Sequence, residues 1–348
     1  MRIIKFIIVL FFALFFMILF VSFKEVNVKN FTIDYQNVPF NIENISTIQT
    51  IKMIKRNQNI ELVFSTKHKM NPRKIFSIPT RGGMSQLLTQ LPPFPMLRQE
   101  WDFTVSSDSC FSTVFTDGIN FNSILTQNYH SDGNILTSKN NIIVTKEYMY
   151  RNFFHPRFIK RYNDSLVPIS AIFENEGNHR RVGVVFFKMK NSAYDEFKEL
   201  TECDDCIIIT YKNGFLLFYK KNVPGHPRGE MDIYPGSLSC VKLDKNFNMI
   251  GESTQLFENR YVYEFDVDII KDKIVTYLTT KKGVILTMLN SFAEPFKIKL
   301  LHIEEHEEVL SQPTILADDS RIYLSVVESL ATNNARILTG SLSIDKLP

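Results

Sequence analysis

Two textures divide this chain. Residues Phe6–Phe23 form an unbroken run of eighteen uncharged, mostly bulky positions. As a helix that run is about 27 Å long, at about 1.5 Å per residue, enough to cross a bilayer core. After residue 48 the pattern changes to short β-branched and aromatic runs separated by turn dipeptides, which predicts strand after strand in an all-β sandwich or propeller. Asn213-Gly214, between Cys206–Lys212 and Phe215–Lys221, predicts a two-residue hairpin. Lys281-Lys282-Gly283 predicts another, and Asp117-Gly118, Asn140-Asn141, Asp244–Asn246 and Asp318–Ser320 mark further reversals. The best helical signal in this part is Ser192–Leu200, with Ser192 as cap.

A loose internal repeat orders these strands. His155-Pro-Arg-Phe-Ile-Lys-Arg-Tyr-Asn-Asp-Ser-Leu runs parallel to Gln312-Pro-Thr-Ile-Leu-Ala-Asp-Asp-Ser-Arg-Ile-Tyr: a polar residue, a proline, an apolar stretch, a polar turn, a second strand. Phe265-Asp-Val-Asp-Ile-Ile and Asp205-Cys-Ile-Ile-Ile-Thr keep the same rhythm, and weaker copies start near Thr50 and Asp108. Starts near 50, 108, 156, 206, 267 and 313 lie about 46 to 61 residues apart, the scale of a four-stranded propeller blade. A blade cannot bury its own faces, so the modules must close into a ring. The predicted organisation is a membrane-spanning segment over 1–23, a stalk over 24–48 and a β-propeller of five or six blades over 49–348.

The phrases HPRFIKRYNDSLVPIS (155–170), SCVKLDKNFNMIGESTQLF (239–257) and YEFDVDIIKDKIVTYLT (263–279) resemble those of five-bladed β-propeller glycoside hydrolases and glycoside phosphorylases. In that group an acidic residue, a proline and an arginine often open an inner strand. Here the acidic place before Pro156 is taken by His155, and the copy at Glu264–Asp268 has carboxylates without the proline and arginine. The resemblance implies a propeller fold and carbohydrate chemistry.

Glycoside cleavage needs two carboxyl groups flanking the scissile bond. Asp108, Asp266 and Asp268 are the candidate catalytic carboxylates, with Glu264 beside them. Strand alternation puts Glu264, Asp266 and Asp268 on one face. Carboxylates converging on the axis would favour an enzyme; a channel of apolar and unpaired polar groups would favour binding. The aromatic and basic segment Tyr148–Tyr162 supplies Tyr150, Arg151, His155 and Arg157 as candidate glycan-binding residues, because stacking faces among cations suit sugars. Its competing reading is an inner strand with core aromatics and solvated cations. Asp266-Val267-Asp268 also matches the D-x-D of sugar-nucleotide enzymes, but the strand–helix alternation that motif needs is absent. His302-Ile-Glu-Glu-His306 matches a zinc-protease pattern; the alternating Phe296–Leu300 before it argues for a strand leading into an acidic loop. No metal and no cofactor are implied.

Charge and cysteines bound the remaining classes. Forty basic against 37 acidic side chains leave a net +3, too balanced to announce a nucleic-acid partner. Thirty Phe and 13 Tyr within 44% hydrophobic residues support a sizeable core. The apolar core of Phe6–Phe23 exceeds that of a signal peptide and lacks a small-x-small cleavage site, which favours an uncleaved anchor over a removed signal. Asn30, Asn44 and Asn163 each open an N-x-[ST] glycosylation pattern, consistent with a lumenal or extracellular body. There Cys110, Cys203, Cys206 and Cys240 could pair as disulfides in any of three ways. The expected role is recognition of a glycan or glycoprotein at the mouth of the propeller channel; the alternatives are a glycoside hydrolase or phosphorylase using axial carboxylates, and a protein-interaction scaffold.

Overall fold

The computed structural model describes residues 33, 35–38, 48–56, 59–66, 74–81, 86–90, 101–107, 110–116, 123–130, 132–135, 140–143, 153–161, 169–174, 180–187, 194–223, 234–257, 261–281, 283–290, 297–305, 309–329 and 335–346. These residues form 24 strands and a single short 3-10 turn at Ile344–Lys346. Strand β1 is Gln36–Asn37. Blade 1 is β2 (Ile48–Arg56), β3 (Asn59–Thr66), β4 (Lys74–Pro79) and β5 (Gln86–Gln90). Blade 2 is β6 (Trp101–Ser107), β7 (Cys110–Thr116), β8 (Ser123–His130) and β9 (Asn140–Ile143). Blade 3 is β10 (Phe153–Phe158), β11 (Ile169–Glu174), β12 (Arg180–Phe187) and β13 (Tyr194–Glu202). Blade 4 is β14 (Asp205–Tyr211), β15 (Gly214–Asn222), β16 (Gly236–Leu243) and β17 (Met249–Gln255). Blade 5 is β18 (Phe265–Ile270), β19 (Lys273–Thr280), β20 (Gly283–Asn290) and β21 (Lys297–Glu305). Blade 6 is β22 (Val309–Ala317), β23 (Arg321–Ser329) and β24 (Ala335–Ser343), completed by β1.

Each blade is an antiparallel meander, and the first strands β2, β6, β10, β14, β18 and β22 neighbour one another in a closed circuit. Six four-stranded sheets realise the larger of the two expected blade numbers. The sequence repeat marks the inner strands at five of its six starts. At the sixth, Asp108 falls just past β6, and it lies outside the described residues.

The core sits between sheets rather than within one. Along β14, Ile207, Ile209 and Tyr211 join the cluster packed against Phe265, Val267 and Ile269 of blade 5, while Cys206 and Ile208 join the cluster that includes Ile172, Val182 and Val184 of blade 3. Period-two alternation sends successive side chains to opposite faces, and both faces are covered, so the strand reads as a continuous apolar run. The same reasoning explains Phe265–Ile270, buried at every position.

Turn chemistry follows the sequence with a shift of one place. Tyr211 pairs with Gly214, so the turn residues are Lys212 and Asn213, and Lys212 takes the left-handed conformation at φ 51°. Lys271, φ 53°, does the same between Ile270 and Lys273. Asp244 and Asp318 cap their turns by accepting backbone N–H bonds from Asn246 and Asn248, and from Ser320 and Arg321. The aligned pair His155-Pro156 and Gln312-Pro313 occupies one structural position: both first residues have positive φ, 46° and 53°, and both inner strands slip register there. Proline cannot donate to a ladder, so the chain bulges around it.

Three expectations are corrected. Where a helix is expected over Ser192–Leu200, Tyr194–Glu202 is the outer strand β13, paired with β12 over Arg181–Phe187. Its helix-forming composition is overridden by that ladder. The predicted stalk over 24–48 contributes to the propeller, since Gln36 and Asn37 pair with Thr339 and Leu338 and Ile33 and Val38 are buried. The presumed loop from His302 is strand β21 as far as Glu305, which removes the helix a zinc-protease motif requires. Phe6–Phe23 lies outside the described residues; among those described, no helix is long and apolar enough to cross a membrane.

Candidate functional site

Asp266 and Asp268 of β18, with Glu264 just before it, follow the predicted spacing of two, and all three reach across to β22. Glu264 accepts the Gln312 backbone N–H at 2.5 Å. Asp266 accepts the Ile315 N–H at 3.0 Å and the Thr314 hydroxyl at 3.3 Å. Asp268 accepts the Ala317 N–H at 2.6 Å. Spacing of two along one strand meets the free N–H groups of the neighbouring inner strand, so the row zips blade 5 to blade 6.

Cations complete the arrangement. The Lys160 ammonium bonds both Asp266 and the Val267 carbonyl, the latter at 2.8 Å. Arg161 donates to Asp268 at 2.6 Å and to the Ala317 carbonyl at 2.7 Å. From the other side of the ring, Asp102 on β6 accepts the Phe158 N–H of β10 at 2.9 Å and pairs with Lys52 of β2 at 3.2 Å. Arg157 of β10 pairs with Asp205 of β14 at 2.9 Å.

These side chains line one axial cavity of about 380 Å³, into which Lys52, Asp102, Arg157, Lys160, Arg161, Asp266 and Asp268 all project. That volume lies within the range of small-ligand sites. Burial alone would push the Asp266 carboxyl up, but Lys160, Lys52 and the Ile315 N–H outweigh it and hold the group below the ordinary aspartate range. Asp205 follows the same pattern: burial is overcome by Arg157, His155 and Lys220. Lys52 goes the other way. Burial lowers its ammonium pKa more than Asp102 restores it. The cavity is therefore a mixed-charge site in which Asp266 stays ionised at neutral pH.

Of the residues singled out by sequence, Asp266, Asp268 and Arg157 meet in this cavity. His155 is half-buried in the β10 bulge, close enough to Asp205 to lower its pKa. Arg157, Lys160 and Arg161 of the aromatic and basic segment line the axial cavity, while Phe158 and Ile159 are core. Tyr150, Arg151, Asp108 and the three acceptor asparagines Asn30, Asn44 and Asn163 lie outside the described residues. Asp102, Lys52, Lys160 and Arg161 were missed. The signal for Asp102 was present: Glu100-Trp101-Asp102 repeats Glu264-Phe265-Asp266.

All four cysteines are free thiols in this structure. Cys206 and Cys240 sit on opposite faces of blade 4, in different core clusters, and Cys110 belongs to blade 2. Cys203 and Cys206 do meet: burial and a hydrogen bond to Cys206 keep the Cys203 thiol well above its ordinary pKa. A depressed pKa is what redox chemistry would need. Among the described residues no cluster of His, Cys, Asp or Glu is placed to hold a metal ion.

No family model and no curated protein matches the sequence. The fold does have counterparts. A protein of unknown function from Dyadobacter fermentans superposes with a TM-score of 0.57 at 10% identity, covering 90% of this chain and 99% of that one. A GH43_1 enzyme from Xanthomonas citri gives a TM-score of 0.48 at 9% identity, covering 89% and 91%. Its complex with xylotriose gives the same TM-score of 0.48 at 8% identity, covering 89% of each chain. An alpha-L-arabinofuranosidase from Lactobacillus brevis gives 0.44 at 8% identity, covering 70% and 90%. What this chain shares at such identities is a fold, the all-β propeller.

Proposed function

We propose that the protein acts on a glycoside held in the axial cavity, with carboxylates from opposite blades on either side of the bond. One observation carries this reading: Asp102 of blade 2 and Asp266 and Asp268 of blade 5, across the ring, line the same cavity. Glycoside hydrolysis requires a carboxyl group on each flank, and a ring of inner strands delivers them from two directions. Asp266, held ionised, suits the base or nucleophile; Asp102 stands on the opposite flank, and Asp268 with Arg161 shapes the rim. The test is a panel of aryl glycosides and oligosaccharides assayed with and without inorganic phosphate. Turnover that falls by about 10²-fold or more in Asp266→Asn supports the reading.

A second reading, recognition of a glycan or glycoprotein without turnover, is favoured by a separate observation. Each lining carboxylate already accepts backbone N–H bonds and an ion pair, which makes it a structural staple. Measurable glycan binding with no product across the panel selects this reading. Neither binding nor turnover overturns both. On sequence grounds we place the activity outside the cytosol, tethered by Phe6–Phe23 and carrying glycans at Asn30, Asn44 and Asn163. Protease protection of the propeller in sealed microsomes checks that address.

A further inference from the structure

Among the charged side chains that line the axial cavity, hydrogen-bond donors outnumber acceptors. Every oxygen of its three carboxylates already accepts at least one hydrogen bond. Asp102 Oδ1 accepts the Phe103 N–H and faces Lys52, and Oδ2 accepts the Phe158 N–H. Asp266 Oδ1 takes Val267 N–H and Lys160, and Oδ2 takes Ile315 and Thr314. Asp268 Oδ1 takes Ile269 N–H and Arg161, and Oδ2 takes Ala317.

The cations are less fully used. An ammonium has three N–H bonds and a guanidinium five. Lys160 and Arg161 each make two side-chain contacts, whereas among the described residues Lys52 pairs with Asp102 and Arg157 with Asp205. Five cationic side chains line the cavity against three carboxylates, and the partners of Arg157 and Lys55, Asp205 and Asp318, are not among the lining residues.

A neutral sugar hydroxyl brings no charge to balance this excess of cations. An anion only accepts. Resting on the carbohydrate reading above, we infer that the cavity selects saccharides bearing an anionic group, a carboxylate or a sulfate ester, and that this group docks on Lys52 and Arg157. The cost of burying Lys52 is then offset on binding, because the ligand supplies the negative charge that Asp102 alone does not.

The experiment is calorimetric titration of the full chain with matched pairs: an oligogalacturonate and its methyl ester, and a sulfated galactan oligosaccharide and its desulfated twin. At least one charged member binds about tenfold or more tighter than its neutral twin. Lys52→Gln abolishes that preference, and Lys52→Arg keeps it. Equal affinity within both pairs overturns the inference and leaves the carbohydrate reading standing. A charge preference that survives in Lys52→Gln places the anion elsewhere and also overturns it. Failure of every saccharide, charged or neutral, in a broader glycan panel sinks the underlying reading as well. If Lys52→Gln does not fold, the matched pairs on the unaltered chain decide the question.

Discussion

Asp102 and Asp266 are the same residue of two modules placed on opposite sides of the ring. Each accepts the N–H of its own successor, Phe103 or Val267, and each reaches to the next blade for the N–H of Phe158 or Ile315. Those two donors stand three residues beyond His155 and Gln312, the paired left-handed positions. A bulge ahead of a proline thus turns one N–H toward a carboxylate on the neighbouring strand. Gln312 extends the link, donating its side-chain amide to the Ile48 carbonyl of blade 1 at 2.9 Å.

Removing such a buried carboxylate strands its partners. Asp266→Ala is expected to cost about 3–5 kcal/mol, the usual result of breaking one side of a buried ion pair. Arg161, with its side chain 41% exposed, is expected to lose about 0–1 kcal/mol on conversion to alanine. Urea denaturation of the two variants gives the comparison; equal losses would place the energy outside the buried network.

Stability is expected to fall in acid, in a defined direction. Asp266 and Asp205 have native pKa values below their ordinary 3.8, so the unfolded chain binds more protons as pH drops past that point. Their contribution is whole above about pH 3.8 and is lost as pH falls through the lowered native values. Lys52 and Lys220 act at the other end. Their native pKa values lie below 10.5, so ionised forms destabilise the fold, and stability rises as pH climbs toward 10.5. Denaturation midpoints across pH should show both slopes, and Asp266→Asn should flatten the acid one.

The hairpin from Ile270 to Lys273 carries a lysine in a conformation that favours glycine. Lys271→Gly is expected to raise the stability of the protein by about 0.5–1 kcal/mol, since left-handed backbone costs an ordinary residue about 1–2 kcal/mol and glycine returns part of that in chain entropy. A lowered urea midpoint would mean the Lys271 side chain holds a contact worth more than the strain.

Burial should order the thiols by reactivity. Cys203, Cys206 and Cys240 are buried and Cys110 is half exposed, and burial raises the Cys240 thiol well above its ordinary pKa. Alkylation at pH 8 with peptide mass analysis is expected to mark Cys110 first and Cys240 only after unfolding. Fast modification of Cys240 would contradict the packing of blade 4.

The propeller was legible because its modules repeat physical constraints, not letters. An inner strand buried on both faces must read as Ile207-Ile208-Ile209 or Phe265–Ile270, and a turn must hold Asn, Asp or Gly. The row Glu264, Asp266, Asp268 followed from alternation alone. The partners of that row did not, because Lys160 and Asp266 stand 106 positions apart in the chain. Nothing local to either residue records that the other is near. The Ser192–Leu200 expectation failed for a related reason, since an outer strand is decided by the ladder beside it rather than by its own composition.

Blade 6 joins strand β1 to β24, so Gln36 hydrogen-bonds to a strand that leaves the ribosome about 300 residues later. The last sheet cannot be completed during synthesis, and its closure is a long-range event that carries a high loop-entropy cost. Blades 1 to 5 can each form as their own segment emerges. The nascent chain therefore passes through an open crescent with two bare sheet faces until the last sheet is completed.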